Sequence, residues 1–445
     1  MFKKLYLRNM KVWGDQLWDE GVEVAPVTLL LGANSAGKTS ILQLPLLLKQ
    51  TFESPDRHLD LNLGGQQTDI VDLGTYKDLI HGHDTSRELG LGIEAEVPGT
   101  PLVSLSYRVT YTLAAGAPVV QQLDLTEDDQ TYGVERQSKG GYRLHAPEYE
   151  SRMRGQRRDA RRSFQPERSL MFSTEALAEL GRDGSHVQDL ALRVMKVMGS
   201  LTYLGPLRER PVRSYMWSCQ SPGEIGSRGE RAVHALLASA NARTKRKEGE
   251  EGGQGWLVEK VSEWLARMGV ADALVPERQG RSRFFEVIIE GEGHRANIMD
   301  VGFGVSQVLP LLVLAYFVPR GATIIAEQPE IHLHPRAQVG LAELMVEVSR
   351  ERGVQFLVET HSEHIFRRLQ FLIADQKLTR DKCRLYFVDR PKGRAAELRR
   401  LNVDDFGRVA EWPERFFGDA AGETERQMRR MMARLRAGEG RGDGG

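Results

Sequence analysis

An α/β fold built around a phosphate-binding loop is the architecture this sequence predicts, and three stretches predict it. The apolar run 27–31 has strand character and opens into Gly32-Ala33-Asn34-Ser35-Ala36-Gly37-Lys38-Thr39, a G-x-x-x-x-G-K-T pattern followed by a helical periodicity. The apolar run 323–326 ends in Glu327-Gln328-Pro329-Glu330, and the run 354–358 ends in Glu359-Thr360-His361-Ser362. Strands that finish in acids and a histidine, together with a phosphate loop, point to one site along the edge of an α/β sheet.

The chemistry of the loop follows from its residue types. Gly32 and Gly37 let backbone N–H groups turn inward around a phosphate, and the helix that follows offers its N-terminal dipole to the same anion. Lys38 is expected to reach the β- and γ-phosphates, and the Thr39 hydroxyl to ligate Mg²⁺. Asn34, Ser35, Ala36 and Ser40 complete the candidate nucleotide-binding set, so ATP with Mg²⁺ is the expected cofactor.

Composition narrows the class. A chain of 445 residues is long enough for two or three domains, or for one large domain with insertions. Hydrophobic residues at 40% and charged residues at 27% fit an ordinary globular protein. A formal net charge of zero means that any nucleic-acid contact must come from a local patch. Cys219 and Cys383 are too few for a disulfide framework, which fits a reducing cytosol. The apolar run 308–318 is broken by Pro310 and too short to span a bilayer. The N-terminus passes straight into a strand pattern with no visible signal peptide. A cytoplasmic location without a membrane partner is therefore expected.

Taken in order, residues 5–13 alternate as a half-buried strand, with Trp13 either a core aromatic or a platform for a nucleotide base. After Thr39, Ile41, Leu42, Leu44, Leu47 and Leu48 share helical spacing, and Pro45 is expected to kink that helix or limit its regular part. Residues 89–97 and 102–113 read as strands on either side of Pro98-Gly99. The polar stretch 66–76 is expected to hold a Mg²⁺-sensing residue, with Gln66, Gln67 and Asp72 as alternatives. Arg152, Arg154, Arg157, Arg158, Arg161 and Arg162 form either a solvated surface or a contact for a DNA backbone. Residues 201–204 read as a buried strand, and Arg208, Arg210 and Arg213 beyond it are either phosphate contacts or salt-bridge partners. Residues 230–239 read as a helix and 242–255 as a surface linker. Residues 256–268 read as an amphipathic helix carrying Leu257, Val261, Trp264, Leu265 and Met268 on one face. An acid at the end of strand 323–326 is what a Mg²⁺-dependent NTPase needs. His332, His334, His361 and His364 offer a competing reading as ligands of a catalytic metal.

The order of these motifs resembles the ABC-type ATPase head shared by SMC proteins, RecF and the OLD-family ATPases. In that resemblance Walker A is 32–39, the Walker B region is 323–330, the D-loop lies near Leu333-His334-Pro335, and His361 is the switch histidine. The signature loop, which in such heads meets the nucleotide of a partner subunit, matches residues 300–310, with Gly304, Ser306 and Gln307 as candidate contacts. Tyr203-Leu204-Gly205-Pro206-Leu207-Arg208, Glu327-Gln328-Pro329-Glu330, Trp412-Pro413 and Phe416-Phe417 further resemble prokaryotic AAA-type ATPases with a C-terminal domain of unknown function. Several relatives of that kind, the Septu and Gabija ATPases among them, belong to anti-phage defence operons. The resemblance implies an α/β ABC-type head, a P-loop NTPase with an inserted α+β region between Walker A and the signature. The expected parts are 1–127 with Walker A and a β-lobe, an insertion at 128–290, 291–390 with signature, Walker B and switch histidine, and an extension at 391–445.

Two positions depart from the family pattern. Glu327 and Gln328 stand where an Asp-Glu pair is usual, and a glutamine orients a water without accepting its proton. The expected assignment is therefore Glu327 on Mg²⁺, with Glu330 and His361 positioning the nucleophile and turnover slow. In the signature, Gly304, Val305 and Ser306 replace the serine and two glycines that precede Gln307. A head-to-tail homodimer sandwiching two ATP–Mg²⁺ is expected, acting as a switch on a separately encoded effector such as a nuclease, since 362–445 show no cluster of nuclease acids. The alternatives are a RecF-like DNA-repair ATPase and an ATP-binding scaffold with negligible turnover.

Overall fold

The computed structural model describes residues 1–66, 68–97, 104–155, 159–243, 251–291, 293–410 and 428. Its central element is a six-stranded sheet ordered Glu397–Arg400, Cys383–Asp389, Val27–Gly32, Gln355–Glu359, Thr323–Glu327 and Leu201–Leu204. All neighbours pair in parallel except the edge strand Glu397–Arg400. These strands read as near-continuous apolar runs because both faces are covered, the usual condition of a parallel sheet. Alternate residues serve opposite cores. Leu30, Ile325 and Leu357 join one cluster, whereas Leu29, Leu31, Ile324, Ala326, Phe356 and Val358 join the other.

The first core is closed by a seven-stranded antiparallel sheet, ordered Val22–Glu23, Phe2–Arg8, Leu89–Glu96, Ser104–Ala114, Ala117–Glu127, Gln130–Arg136 and Tyr142–His145. The helices Lys38–Phe52 and Arg182–Gly199 fill the space between the sheets. The second core is helical, built from Ala232–Ala240, Trp256–Arg267, Phe303–Phe317, Pro335–Arg352 and Glu363–Ala374. Trp264 is fully buried there and donates its indole N–H to the Tyr316 hydroxyl at 2.6 Å. A small four-stranded antiparallel sheet of Tyr215–Met216, Phe284–Gly291, Ala273–Arg278 and His294–Asn297 leans on this side. The arrangement is the mixed α/β fold of a P-loop NTPase.

Local expectations and structure part company at three places. The first strand stops at Arg8, because Asn9 and Lys11 take left-handed backbone, and the chain then turns Trp13 into the core. The helix after the phosphate loop runs from Lys38 to Phe52 with Pro45 inside it. An internal proline costs about 3 kcal/mol, and the buried Leu42, Leu44, Leu46, Leu47 and Leu48 around it offset that cost. Antiparallel pairing runs on past Glu127 through Gln130–Arg136 to Tyr142–His145, and Leu201–Leu204 forms the edge of the central sheet. Trp412, Pro413, Phe416 and Phe417 lie outside the described residues. Among the described residues, no helix is long and apolar enough to cross a membrane.

One buried amide ties the two sheets together. Gln355 is 2% exposed; its Oε1 accepts from the Phe2 N–H at 3.0 Å and the Thr323 hydroxyl at 3.1 Å. Its Nε2 donates to the Phe2 carbonyl at 2.9 Å and the Ala25 carbonyl at 3.2 Å. A Gln355→Leu variant fills the same space but strands those backbone groups. The expected loss is about 1–3 kcal/mol, read as a lower urea midpoint at unchanged m-value.

Candidate functional site

The carboxyl ends of the strands Val27–Gly32, Gln355–Glu359 and Thr323–Glu327 lie side by side, and the candidate residues leave the sheet there. Gly32 has φ +138°, and a Cβ on it would fall 2.1 Å from the Val388 carbonyl oxygen, so only glycine starts the loop at this distance from the neighbouring strand. Gly37, with φ +118°, leaves no room for a Cβ beside Val12 and Trp13. Trp13 donates its indole N–H to the Gly37 carbonyl at 3.0 Å, so it supports the loop from the core side and is no platform for a base. Asn34 and Ser35 are exposed at the loop tip, Ser35 in left-handed backbone, while Ala36 and Ser40 are buried. The helix begins at Lys38 and turns its free N–H groups toward the loop.

Lys38 is 2% exposed and donates to the Gly32 carbonyl at 3.1 Å and the Ala33 carbonyl at 2.7 Å. Its third neighbour is Glu359, whose Oε1 lies 3.5 Å from Nζ. Burial pushes the Lys38 ammonium below its ordinary pKa, and Glu359 pulls the other way. The other Glu359 oxygen accepts the Thr39 hydroxyl at 2.7 Å. The sequence pattern places Glu359 at the site's edge but assigns it no role of its own. Its place at a strand end, two residues before His361, was the available signal.

Glu327 and Glu359 are register partners on adjacent parallel strands. Glu327 Oε1 accepts the Tyr203 hydroxyl at 2.8 Å, and its backbone carbonyl accepts from Arg208 Nη2 at 3.3 Å. Burial raises the Glu327 pKa, and the Tyr203 hydrogen bond partly opposes the rise. Arg208 is buried, and its Nε and Nη1 find no partner among the described residues. Desolvation lowers its pKa to about 10, against the pull of Tyr203 and Glu327. Arg213, by contrast, pairs with Asp300 at the surface, and Arg228 takes up Glu209. Gln328 follows in left-handed backbone at φ +44°, a conformation that costs free energy for a non-glycine residue, and its N–H is held by the Glu359 carbonyl at 2.7 Å.

Glu330 Oε1 accepts the His361 backbone N–H at 2.7 Å, while its Oε2 is buried with no partner among the described residues. Burial raises the Glu330 pKa, and the His361 N–H works against it. The His361 imidazole pKa is lowered, first by partial desolvation and then by the Lys38 ammonium. Structure thus brings Lys38, Thr39, Glu327, Glu330, Glu359 and the start of the His361 segment into one cluster.

The signature residues sit elsewhere in the same chain. Gly302 caps the helix Phe303–Phe317, and the Ser306 hydroxyl bonds back to the Phe303 carbonyl at 2.9 Å. Gly304 lies beside Leu333 and His332, and Gln307 follows on the same helix. Phe303 is 68% exposed next to them. A cleft of about 710 Å³ opens there, lined in part by Gly302, Gly304, His332 and Arg336.

The remaining expectations resolve as follows. Gln66 donates its backbone N–H to Asp69, Asp72 accepts the Gly74 N–H within its own turn, and Gln67 lies outside the described residues. The residue that joins this segment to the phosphate-loop helix is Gln50, buried and bonded to Asn62, Ile70 and Val71. Arg152 hydrogen-bonds the Glu179 carbonyl and Arg161 pairs with its carboxylate at 3.3 Å, whereas Arg157 and Arg158 lie outside the described residues. Among the described residues, no group of three or more His, Cys, Asp or Glu side chains is placed to hold a metal by itself. His334 instead caps the helix Pro335–Arg352 through Nδ1. A Mg²⁺ ion fits a different donor set, the Thr39 hydroxyl against the Glu359 carboxylate. Mg²⁺ commonly takes one or two carboxylates and completes its shell with waters and phosphates.

Two parts of this chain match known protein families. Residues 240–366 match the family model described as AAA ATPase domain, and residues 378–427 match a protein family of unknown function, DUF3696. The ATPase-domain match holds residues 300–310, the strand Thr323–Glu327 and His361, and the fold brings the phosphate loop at 32–39 to it from far upstream. An OLD nuclease of Thermus scotoductus is 23% identical over 370 residues, covering 81% of this chain; the chain spans 59% of that relative's length. An SMC head bound to the C-winged helix domain of ScpA aligns with 91% of this chain and 98% of its own, at 13% identity and TM-score 0.44. The SMC head domain from Thermotoga maritima aligns with 90% and 99%, at 11% identity and TM-score 0.37.

The ATPase domain holds Glu330 at a cost in stability that depends on pH. Its folded pKa is raised, so the protonated form favours folding and that contribution is lost as pH rises through the folded pKa. A Glu330→Gln variant, which can still accept from His361, is expected to melt higher than wild type at pH 8. The gain should shrink toward pH 5, which paired calorimetric melts at the two pH values will read.

Proposed function

We propose that this chain binds ATP with Mg²⁺ at the phosphate loop, hydrolyses it slowly, and uses nucleotide state to open and close a head-to-tail dimer that regulates a partner effector. The observation that carries this reading is the cluster at the strand ends: Lys38 and Thr39 beside Glu359, with Glu327 and Glu330 completing an acidic edge. In this reading the loop N–H groups and Lys38 hold the phosphates, and Thr39 with Glu359 and Glu327 would hold the metal, which would supply charge neutralisation at the transferred phosphoryl group. Arg208 sits behind Glu327 and fixes its backbone.

Glu330 is the general base in this proposal. Gln328 cannot take a proton, whereas Glu330 offers one free carboxylate oxygen and a pKa raised toward the range where a base works well. His361, its backbone pinned to Glu330, orients the water or the γ-phosphate. Gly304 packs beside His332 and Leu333 of its own chain, and Phe303 lies against His332; in this proposal Gly304, Ser306 and Gln307 meet the nucleotide of a second copy. The effector, an anti-phage setting and DNA contact through the arginines of 152–162 belong to the same proposal only by resemblance to OLD-like relatives.

Phosphate release tests the chemistry. Wild type should release phosphate above background, Lys38→Ala should abolish it, and Glu330→Gln should lower turnover roughly 100-fold or more. Turnover should rise with pH through the raised Glu330 pKa. Unchanged turnover in Glu330→Gln removes the base assignment, and tight ATP binding without release favours the scaffold reading suggested by Gln328. Light scattering tests the switch: Glu330→Gln with ATP and Mg²⁺ should shift to a dimer that Lys38→Ala does not form.

A further inference from the structure

We infer that Glu359 makes the phosphate loop selective for the metal–nucleotide complex over the free nucleotide. The inference rests on the nucleotide reading above and adds a control that the phosphate-loop pattern itself does not contain. Glu359 is buried at the end of its strand, and its two carboxylate oxygens address the two side chains on which that reading depends. One accepts the Thr39 hydroxyl at 2.7 Å, and the other lies 3.5 Å from Lys38 Nζ. Nothing in the packing of the strand requires a carboxylate there. A buried charge is costly unless it is paired, and among the described residues this one is paired only through the site's own lysine and hydroxyl.

Two consequences follow for a ligand. A polyphosphate that engages Lys38 and the loop N–H groups brings its negative charge within a few ångströms of Glu359. Like charges at that separation in a poorly solvated site repel strongly, so free ATP is disfavoured. A divalent cation reverses the sign. Thr39 and Glu359 already stand together as a hydroxyl and a carboxylate, an oxygen pair suited to Mg²⁺, and a cation held there turns Glu359 from a repelling group into a ligand. Without nucleotide, the same carboxylate holds Lys38 and Thr39 in place, so the loop keeps its shape at the expense of affinity for unmetallated phosphates. Glu327 is less suited to this role, since one of its oxygens is taken by Tyr203.

The test is equilibrium binding of a fluorescent ATP analogue to the full chain, with Mg²⁺ and with EDTA. Wild type should bind at least tenfold more weakly in EDTA, a factor that corresponds to one pKa unit of charge interaction. Glu359→Gln should bind the analogue in EDTA more tightly than wild type does, and its ratio between the two conditions should fall toward one. Glu359→Asp keeps the charge and should keep a ratio above tenfold, so this arm still reads the charge effect if the amide variant fails to fold. A ratio in Glu359→Gln equal to that of wild type, or a ratio near one in Glu359→Asp, overturns the inference while the nucleotide reading stands. Absence of binding by wild type in both conditions removes the nucleotide reading and this inference with it.

Discussion

Burial of carboxylates at one edge of a parallel sheet is the constraint on which the rest of this molecule depends. Parallel register sets Glu327 beside Glu359, and the turn that follows brings Glu330 back to the His361 N–H. Three acids so placed would repel one another and resist desolvation. The structure answers with Lys38 and the Thr39 hydroxyl from the phosphate loop, and with the Tyr203 hydroxyl and Arg208 from the stretch 203–208. Removing one partner leaves a buried charge uncompensated, which costs more than the contact itself contributes. The same balance explains why the site suits a cation with an anion better than either alone.

Around that edge, neutral groups do the positioning. Trp13 supports the loop at Gly37, Gln50 ties the following helix to 62–71, and Gln355 fastens the antiparallel sheet to the parallel one. These side chains are buried, and each bonds to backbone, so each stiffens a connection that a purely apolar core would leave free to slide. The Pro45 helix belongs to the same logic. Its leucines are packed between two sheets, and that packing keeps the helix in one piece across a residue that would interrupt it in isolation.

The site also separates what one chain completes from what it leaves open. The phosphate loop, the acids and the His361 segment meet within the chain. Gly304 lies beside His332 and Leu333, with Phe303 exposed next to it. A surface of that kind gains from being covered, and a second copy is the partner to which the proposed switch assigns it.

The residues by themselves determined the phosphate loop, the apolar strands that end in acids, the amphipathic helix at 256–268 and the α/β class, because each is a local pattern of spacing. Strand ends were legible for the same reason: an apolar run followed by acids marks its own boundary. What only the tertiary structure decided is which distant groups share the site. Thr39 meets Glu359 across 320 positions and Tyr203 meets Glu327 across 124, and no periodicity encodes such pairings. Arg208 was visible as an arginine beyond a strand, but its burial against Glu327 depends on two strands lying adjacent in the sheet. Trp13 was open to two readings until the chain turned after Arg8 and placed it beneath the loop. Sequence periodicity says that a strand is buried; its neighbours and register say what chemistry its end performs, and those are set by packing of the whole sheet.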